Sequence, residues 1–241
     1  MQLGWNQNES SQDAFSYVNM ARLKHFMGNM VGDSGAASIA VLIRTGVLLG
    51  LYKSLANKGP MTPAELAQAT GNTERYIREW LSAQAASGYV EYDATTKKFS
   101  MQPEQAMVFA DDDSPVFMGA IGDMMAAIML DEPKISDAFK SGKGVGWNDR
   151  AECLFCGTAR FFRTTYKHHL VQEWLPALDG VVAKLERGAK VADVGCGHDI
   201  STLLMAKAYP NSHFFGFDAH PGSITAAQAA AASEGLSERV T

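Results

Sequence analysis

Apolar residues crowd the first quarter of the chain. From about Ser11 to Ala56 they are mostly Met, Leu, Val and Ala, denser than a small surface helix needs. The pattern predicts two helices broken at the turn cluster Gly32-Asp33-Ser34-Gly35. Such a surface belongs either to a core or to a contact with a partner subunit. Its most apolar stretch, Ala36 to Ala56, carries Arg44 and Lys53 and is interrupted by Gly46 and Gly50. A membrane span needs roughly 20 predominantly apolar residues with few or no charges, so a packed or dimer-buried helix is expected here, and no membrane.

The pattern then becomes more informative. Thr62-Pro63-Ala64-Glu65 is a capping box with proline at the first helical position, and the helix it opens should end at Gly71. A second helix from Asn72-Thr73 places Ile77, Trp80, Leu81 and Ala85 on one face and stops at Gly88. Strands are expected at Tyr89–Tyr92 and Phe99–Met101, around the polar loop Asp93 to Lys98. Helix, turn, helix and wing in this order make a winged helix-turn-helix. Between Met61 and Tyr92 two basic residues (Arg75, Arg78) face four acidic ones (Glu65, Glu74, Glu79, Glu91), and the wing adds Lys97 and Lys98 against Asp93. Duplex binding relies on cations at phosphates and base edges. The balance therefore favours a scaffold or dimerisation role over nucleic-acid binding.

From Pro103 to Pro133 the pattern is helical, with a solvated turn expected at Asp111-Asp112-Asp113 and a new helix starting at Ser114-Pro115. Ser141 to Gly146 reads as a flexible glycine-rich connection, since it lacks the spacing of a phosphate loop. Cys153 and Cys156 form a C-x-x-C pair with no second pair, and His168 and His169 point about 100° apart on a helix. No metal site is expected. Three cysteines in 241 residues do not make a disulfide framework. The N-terminus lacks the basic and apolar regions of a signal peptide, which places the chain in the cytoplasm. A net charge of −5, with 46% hydrophobic and 20% charged residues, fits a globular protein with a real core.

Lys190-Val191-Ala192-Asp193-Val194-Gly195-Cys196-Gly197-His198-Asp199 carries the chemistry. Val191 to Val194 reads as a short buried strand that enters a glycine turn, and Ile200 to Tyr209 as the helix after it. This is the strand–loop–helix context of a nucleotide-binding turn. A second strand, His213 to Phe217, ends in Asp218, 21 residues after Gly197. An acid there can accept hydrogen bonds from ribose hydroxyls. A helix starting near Ser223 completes β-α-β-α, the first half of a doubly wound sheet. A dinucleotide fingerprint starting at Gly195 would need glycine or alanine at position 200, where Ile200 stands. Asp193 ahead of the glycines suits a ligand without a pyrophosphate.

The run LGLYKSLANKGPMTPAELAQATGNTERYIREWLSAQAASGYVEYD resembles the winged-helix segment of class I S-adenosylmethionine-dependent methyltransferases of the small-molecule O-methyltransferase type. FFRTTYKHHLVQEWLPALDGVVAKLERGAKVADVGCGH resembles their connector and first strand. The resemblance covers roughly residues 13–241. It implies an α/β fold with a mostly helical winged-helix dimerisation domain (1–101), a helical connector (102–180) and the first part of a Rossmann-like domain (181–241). It further implies S-adenosylmethionine as cofactor, a small-molecule methyl acceptor and a homodimer. By position, Asp193, Gly195, Cys196 and Gly197 would line the cofactor pocket. Asp218 would hold the ribose, with Ala219 and His220 near the adenine. Tyr166, His168 and His169 are the upstream candidates for catalysis. The family's third glycine is Asp199 here, whose side chain would intrude on the cofactor. Only 46 residues follow Gly195, fewer than the family's sheet requires, so an incomplete form with weak or no activity is expected. A winged-helix DNA-binding regulator and a non-catalytic dimerisation module are the alternative readings.

Overall fold

The computed structural model describes residues 17–241. Its compact units divide between Ile39 and Ala40, a boundary that lies within helix α1 (Met20–Leu48). The predicted break at Gly32–Gly35 does not occur, and α1 is continuous from Met20 to Leu48. A glycine costs a helix interior about 1 kcal/mol relative to alanine, which weakens a helix without ending it. The Ser34 and Ser38 hydroxyls donate back to the carbonyls of Met30 and Ser34, within the helix. The real break is Gly50, with φ 64°, which separates α1 from α2 (Leu51–Lys58). The start expected near Ser11 lies outside the described residues. Among the described residues α1 is the one helix long and apolar enough to cross a membrane, with a mean hydropathy of 1.3 over its most apolar window.

The winged helix follows as α3 (Pro63–Thr70), α4 (Glu74–Ala86), β1 (Glu91–Asp93) and β2 (Lys98–Ser100). The capping box forms as expected: Thr62 N donates to Glu65 Oε2 at 2.7 Å and Glu65 N to Thr62 Oγ1 at 3.3 Å. Gly71 closes α3 with φ 69°. The strands sit later and earlier than predicted because Tyr89 N still bonds the Gln84 carbonyl in the turn that ends α4. Tyr92 pairs with Phe99, and Phe99 also bridges Met61, giving the wing a third partner.

Tyr52 is the centre of this core. It packs against Trp80 at 4.9 Å and Phe109 at 5.0 Å, and its hydroxyl donates to Gln84 Oε1 at 2.6 Å. The core takes in Phe109 and Ala110, beyond residue 101. On the outer face of α4, Arg75 pairs with Glu79 and Arg78 with Glu74.

The connector comprises α5 (Pro103–Phe109), α6 (Ile121–Leu130), α7 (Glu132–Ser141), a 3-10 turn (Trp147–Asp149), α8 (Glu152–Thr165), a π-helix (Tyr166–Trp174) and α9 (Val181–Arg187). The helix expected at Ser114 starts only at Ile121. Ser114 instead closes two tight turns: its N–H donates to the Asp111 carbonyl, and its own carbonyl accepts from Phe117 N. The acidic run is not simply solvated. Asp112 pairs with Lys53 and Arg160, and Asp113 with Arg163 and Lys167. Arg160 also reaches the buried Asp123, which Arg44 holds at 2.8 Å.

The last segment is β3 (Lys190–Val194), α10 (Ile200–Ala208), β4 (His213–Phe217) and α11 (Pro221–Ser233). The strands are parallel, with Val191 opposite Phe214 and Val194 opposite Phe217. Val240 adds a second parallel partner to Phe214. Phe214, Leu203, Met205 and Leu185 form the apolar centre of this α/β unit.

Gly46 lies where α1 crosses Tyr52 and Trp80, and a Cβ there would stand 2.5 Å from Trp80 and 2.6 Å from Tyr52. Gly46→Ala is therefore expected to destabilise by roughly 1–3 kcal/mol, outweighing a helix-propensity gain of about 1 kcal/mol. Gly32→Ala, with nothing within 4 Å, should realise only the gain. Urea unfolding midpoints should move in opposite directions for the two variants.

Candidate functional site

β3 ends in a loop whose backbone requires glycine. Gly195 and Gly197 have φ of 80° and 57°, a region in which a Cβ is strained. The N–H groups of Gly195 and Cys196 both donate to the Phe217 carbonyl, at 2.6 and 3.1 Å, which ties the loop to the end of β4. The Asp218 carboxylate then spans two loops, accepting Gly197 N at 2.9 Å and His220 N at 2.8 Å. Asp193 Oδ2 accepts from the hydroxyls of Ser201 and Thr202, at 2.8 and 2.7 Å, in the first turn of α10.

Above the loop lies a cavity of about 900 Å³. Its floor includes Asp193, Gly195, Cys196, Gly197, Asp218 and Ala219, six of the seven residues expected to bind the cofactor. His220 does not line it. Its ring instead stacks on Phe155 at 3.8 Å, and its Nδ1 accepts from Ser223 N at 3.1 Å, capping α11. Asn148 Nδ2 donates to the Ala219 carbonyl at 3.0 Å and holds the same loop from the connector.

The opposite wall comes from the connector. Phe155, Thr158, Ala159, Phe162 and Tyr166 line it, along one face of α8 and into the π-helix, with Trp147 beside them. Sequence reasoning named Tyr166 but missed the rest of this wall, and missed His198, which also lines the cavity. The helical spacing 155, 158, 159, 162, 166 was the available signal. Asp131 anchors the chain just after Trp147 and Asn148. It is buried, and both of its oxygens accept from Ala151 N at 3.1 Å. Hydrogen bonding from Lys134 foremost holds its carboxyl below the usual carboxylate range.

Of the three catalytic candidates only Tyr166 reaches the cavity. His168 Nε2 bonds the Asp113 carbonyl at 2.9 Å, and His169 Nδ1 pairs with Glu173 at 3.0 Å. The wider turn of the π-helix, a form that recurs at functional sites, carries both away. Burial first, and the Asp193 carboxylate second, push the Tyr166 phenol upward. At neutral pH it is a hydrogen-bond donor and not a base.

Asp199 does not intrude on the cavity as expected. It adopts φ 61°, is 4% exposed, and turns beneath the loop toward β4. A Cβ on Gly216 would stand 2.5 Å from Asp199 Oδ1 and 2.9 Å from Cys196 Sγ, so glycine at 216 makes the room for this carboxyl. Oδ1 has no hydrogen-bond partner among the described residues. Burial foremost, with Asp193 and Asp218 adding to it, raises the Asp199 carboxyl above the usual aspartate range. Burial and the adjacent Asp199 push the Cys196 thiol up to about 12. Among the described residues, no Lys or Arg lines the cavity. None of the ion pairs among the described residues involves Asp193, Asp199 or Asp218.

Comparison with known proteins places this geometry. Residues 37–110 match the family model of the Rv2258c-like winged HTH domain. No curated protein sequence matches the chain. Among solved structures, the mitomycin 7-O-methyltransferase MmcR is 19% identical with a TM-score of 0.64, over 92% of this chain and 66% of that one. An O-methyltransferase family protein from Burkholderia thailandensis is 20% identical with a TM-score of 0.56, over 89% and 63%. PigF, solved with S-adenosylhomocysteine, is 15% identical with a TM-score of 0.61, over 88% and 64%. The chain thus carries a winged-helix domain and has the α/β fold of O-methyltransferases. It spans just under two thirds of the length of these structures.

The raised Asp199 carboxyl has a pH signature. The unfolded chain ionises this group at its ordinary value and the folded chain only higher. Stability is therefore lost as pH rises from the ordinary aspartate range through the folded value. Asp199→Asn removes that loss. Its stability relative to the parent chain is expected to increase between pH 3 and pH 8, read as the difference between the two melting-temperature profiles.

Proposed function

We propose that the cavity binds S-adenosylmethionine and that the chain belongs to a methyltransferase acting on a small-molecule acceptor. One observation carries this reading: a glycine loop of nucleotide-binding geometry whose cavity, among the described residues, is lined by carboxylates and by neither Lys nor Arg. A dinucleotide would bring a pyrophosphate to this loop, beside Asp193, with no cation to neutralise it. A nucleoside bearing a positive charge meets the opposite situation.

The residues present fit such a ligand. Positions that a Cβ could fill at Gly195 and Gly197 are open space, so a ligand can lie against the backbone. Asp218 uses one lone pair of each oxygen on the backbone, leaving others for ribose hydroxyls. Asp193 Oδ2 is taken by two hydroxyls, and Oδ1 remains for an ammonium group. When bound, the cofactor supplies a methyl group on a positively charged sulfur, activated for in-line displacement. The protein's part is then orientation and exclusion of water. Trp147, Phe155 and Phe162 supply an aromatic wall for the acceptor, and the protonated Tyr166 phenol offers it a donor.

The same proposal includes a homodimer formed through α1, which exposes Phe26, Met27, Met30 and Val31. Contiguous apolar surface of this kind favours burial at about 25 cal/mol per Å². A cytoplasmic location accords with three free cysteines.

Isothermal titration of the 241-residue chain should show micromolar S-adenosylmethionine binding and no measurable NAD binding. Asp218→Ala should weaken the former by roughly 10- to 100-fold, the loss of hydrogen bonds to a charged group. Preference for NAD, or no binding of either, would overturn the cofactor assignment. Phe26→Asp with Met30→Asp should convert a dimer to a monomer in sedimentation velocity, and a parent chain that is strictly monomeric would refute the dimer.

A further inference from the structure

We propose that Asp199 sets the site's preference for the positively charged cofactor over its product, S-adenosylhomocysteine, whose sulfur is uncharged. The inference rests on the cofactor reading above and adds a role for a residue beneath the loop. Asp199 occupies the position expected for a third glycine, and its Oδ1 is buried with no hydrogen-bond partner among the described residues. Its neighbours in the chain, His198 and Ile200, line the cavity while it does not, so a single layer of loop backbone separates it from a ligand. It is nearly fully buried, where water screens charge poorly. An ionised Asp199 therefore acts on the ligand's net charge without touching the ligand.

Substrate and product differ by one methyl group and one unit of positive charge on sulfur. Contacts to adenine, ribose and the amino-acid tail are common to both and cannot separate them. A fixed negative charge can. Through an effective dielectric of about 20, a unit charge at this remove is worth on the order of tenfold in affinity. The attraction exists only while Asp199 is ionised, so the preference should fade as pH falls through its titration. The titratable groups that face it are Cys196 and His198 in its own loop, Asp193 from β3 and Asp218 from the end of β4. From β4, Gly216 lies against its carboxyl. Cys196 stays protonated throughout.

The test is calorimetric binding of S-adenosylmethionine, S-adenosylhomocysteine and sinefungin, which carries an amine cation in place of the sulfonium. It compares the parent chain with Asp199→Asn and Asp199→Gly at pH 5 and pH 8. Asn tolerates the left-handed backbone and keeps the side chain's shape; Gly removes the side chain altogether. At pH 8 both variants should lose on the order of tenfold in S-adenosylmethionine affinity. Sinefungin should follow it, while S-adenosylhomocysteine stays within about twofold of the parent. The gap between parent and variants should narrow as pH is lowered through the titration of Asp199. Equal losses for all three ligands would mean a merely structural role and would overturn the inference, as would an unchanged ratio. If none of the three binds the parent chain, the cofactor reading falls, and this inference with it.

Discussion

The Asp218 carboxylate accepts one N–H from the glycine loop after β3 and one from the turn that starts α11. Most of the site depends on that bridge. Parallel strands bring two loops to the same end of a sheet, yet nothing in the ladder fixes how far apart the loops stand. A charged acceptor between two backbone donors does, and such bonds are about twice as strong as neutral ones. Together with the two N–H groups that converge on the Phe217 carbonyl, it holds Gly195 and Gly197 open toward the cavity. The conformation glycine permits is thereby fixed.

The second half of the site is supplied from a distance. The connector meets the Asp218–His220 turn through the Phe155–His220 stack and the bond from Asn148 to Ala219. Asn148 is in reach because Asp131 fixes the start of α8 through Ala151. Arg160, one turn and a residue beyond Phe155, joins Asp112 and Asp123 and so ties α8 to both α5's end and α6. Partly exposed ion pairs such as these gain little net stability. Their geometry is directional, however, and here it sets the orientation of the aromatic face that looks into the cavity.

What the sequence makes legible follows the range of each interaction. The Thr62–Glu65 box, the Gly71 cap and the order of elements from Lys190 to Asp218 read correctly because their bonds close mostly within a few residues or within one βαβ repeat; the burial expected of Val191–Val194 did not hold, since Val194 is 83% exposed. The Gly32–Gly35 break failed because weak helix formers lower a helix's stability without deciding where it stops; the left-handed turn at Gly50 decides that. Asp111–Asp113 read as solvated because Lys53 and Arg160 are 59 and 48 residues from Asp112, beyond any local pattern. His168 and His169 looked available because neither the π-helix nor the Asp113 carbonyl can be read from spacing. Asp199 looked like an obstruction because its backbone conformation, and the space beside Gly216, exist only once β4 has paired with β3.

The three aspartates of the loop illustrate a single electrostatic rule with three outcomes. Asp193 is compensated by two hydroxyls and Asp218 by two backbone N–H groups, while Asp199 Oδ1 has no partner among the described residues. With no Lys or Arg on the cavity wall, the protein leaves this cluster short of positive charge, and like carboxylates close together resist joint ionisation. A fold that keeps such a cluster beneath a binding loop accepts a less stable ligand-free state, since each uncompensated carboxylate raises the cost of the others. A cation arriving in the cavity relieves all three at once, whereas a neutral ligand of the same shape relieves none. The stability deficit of the free protein and its selectivity for a positively charged ligand are therefore two aspects of one charge distribution, and removing Asp199 should diminish both together.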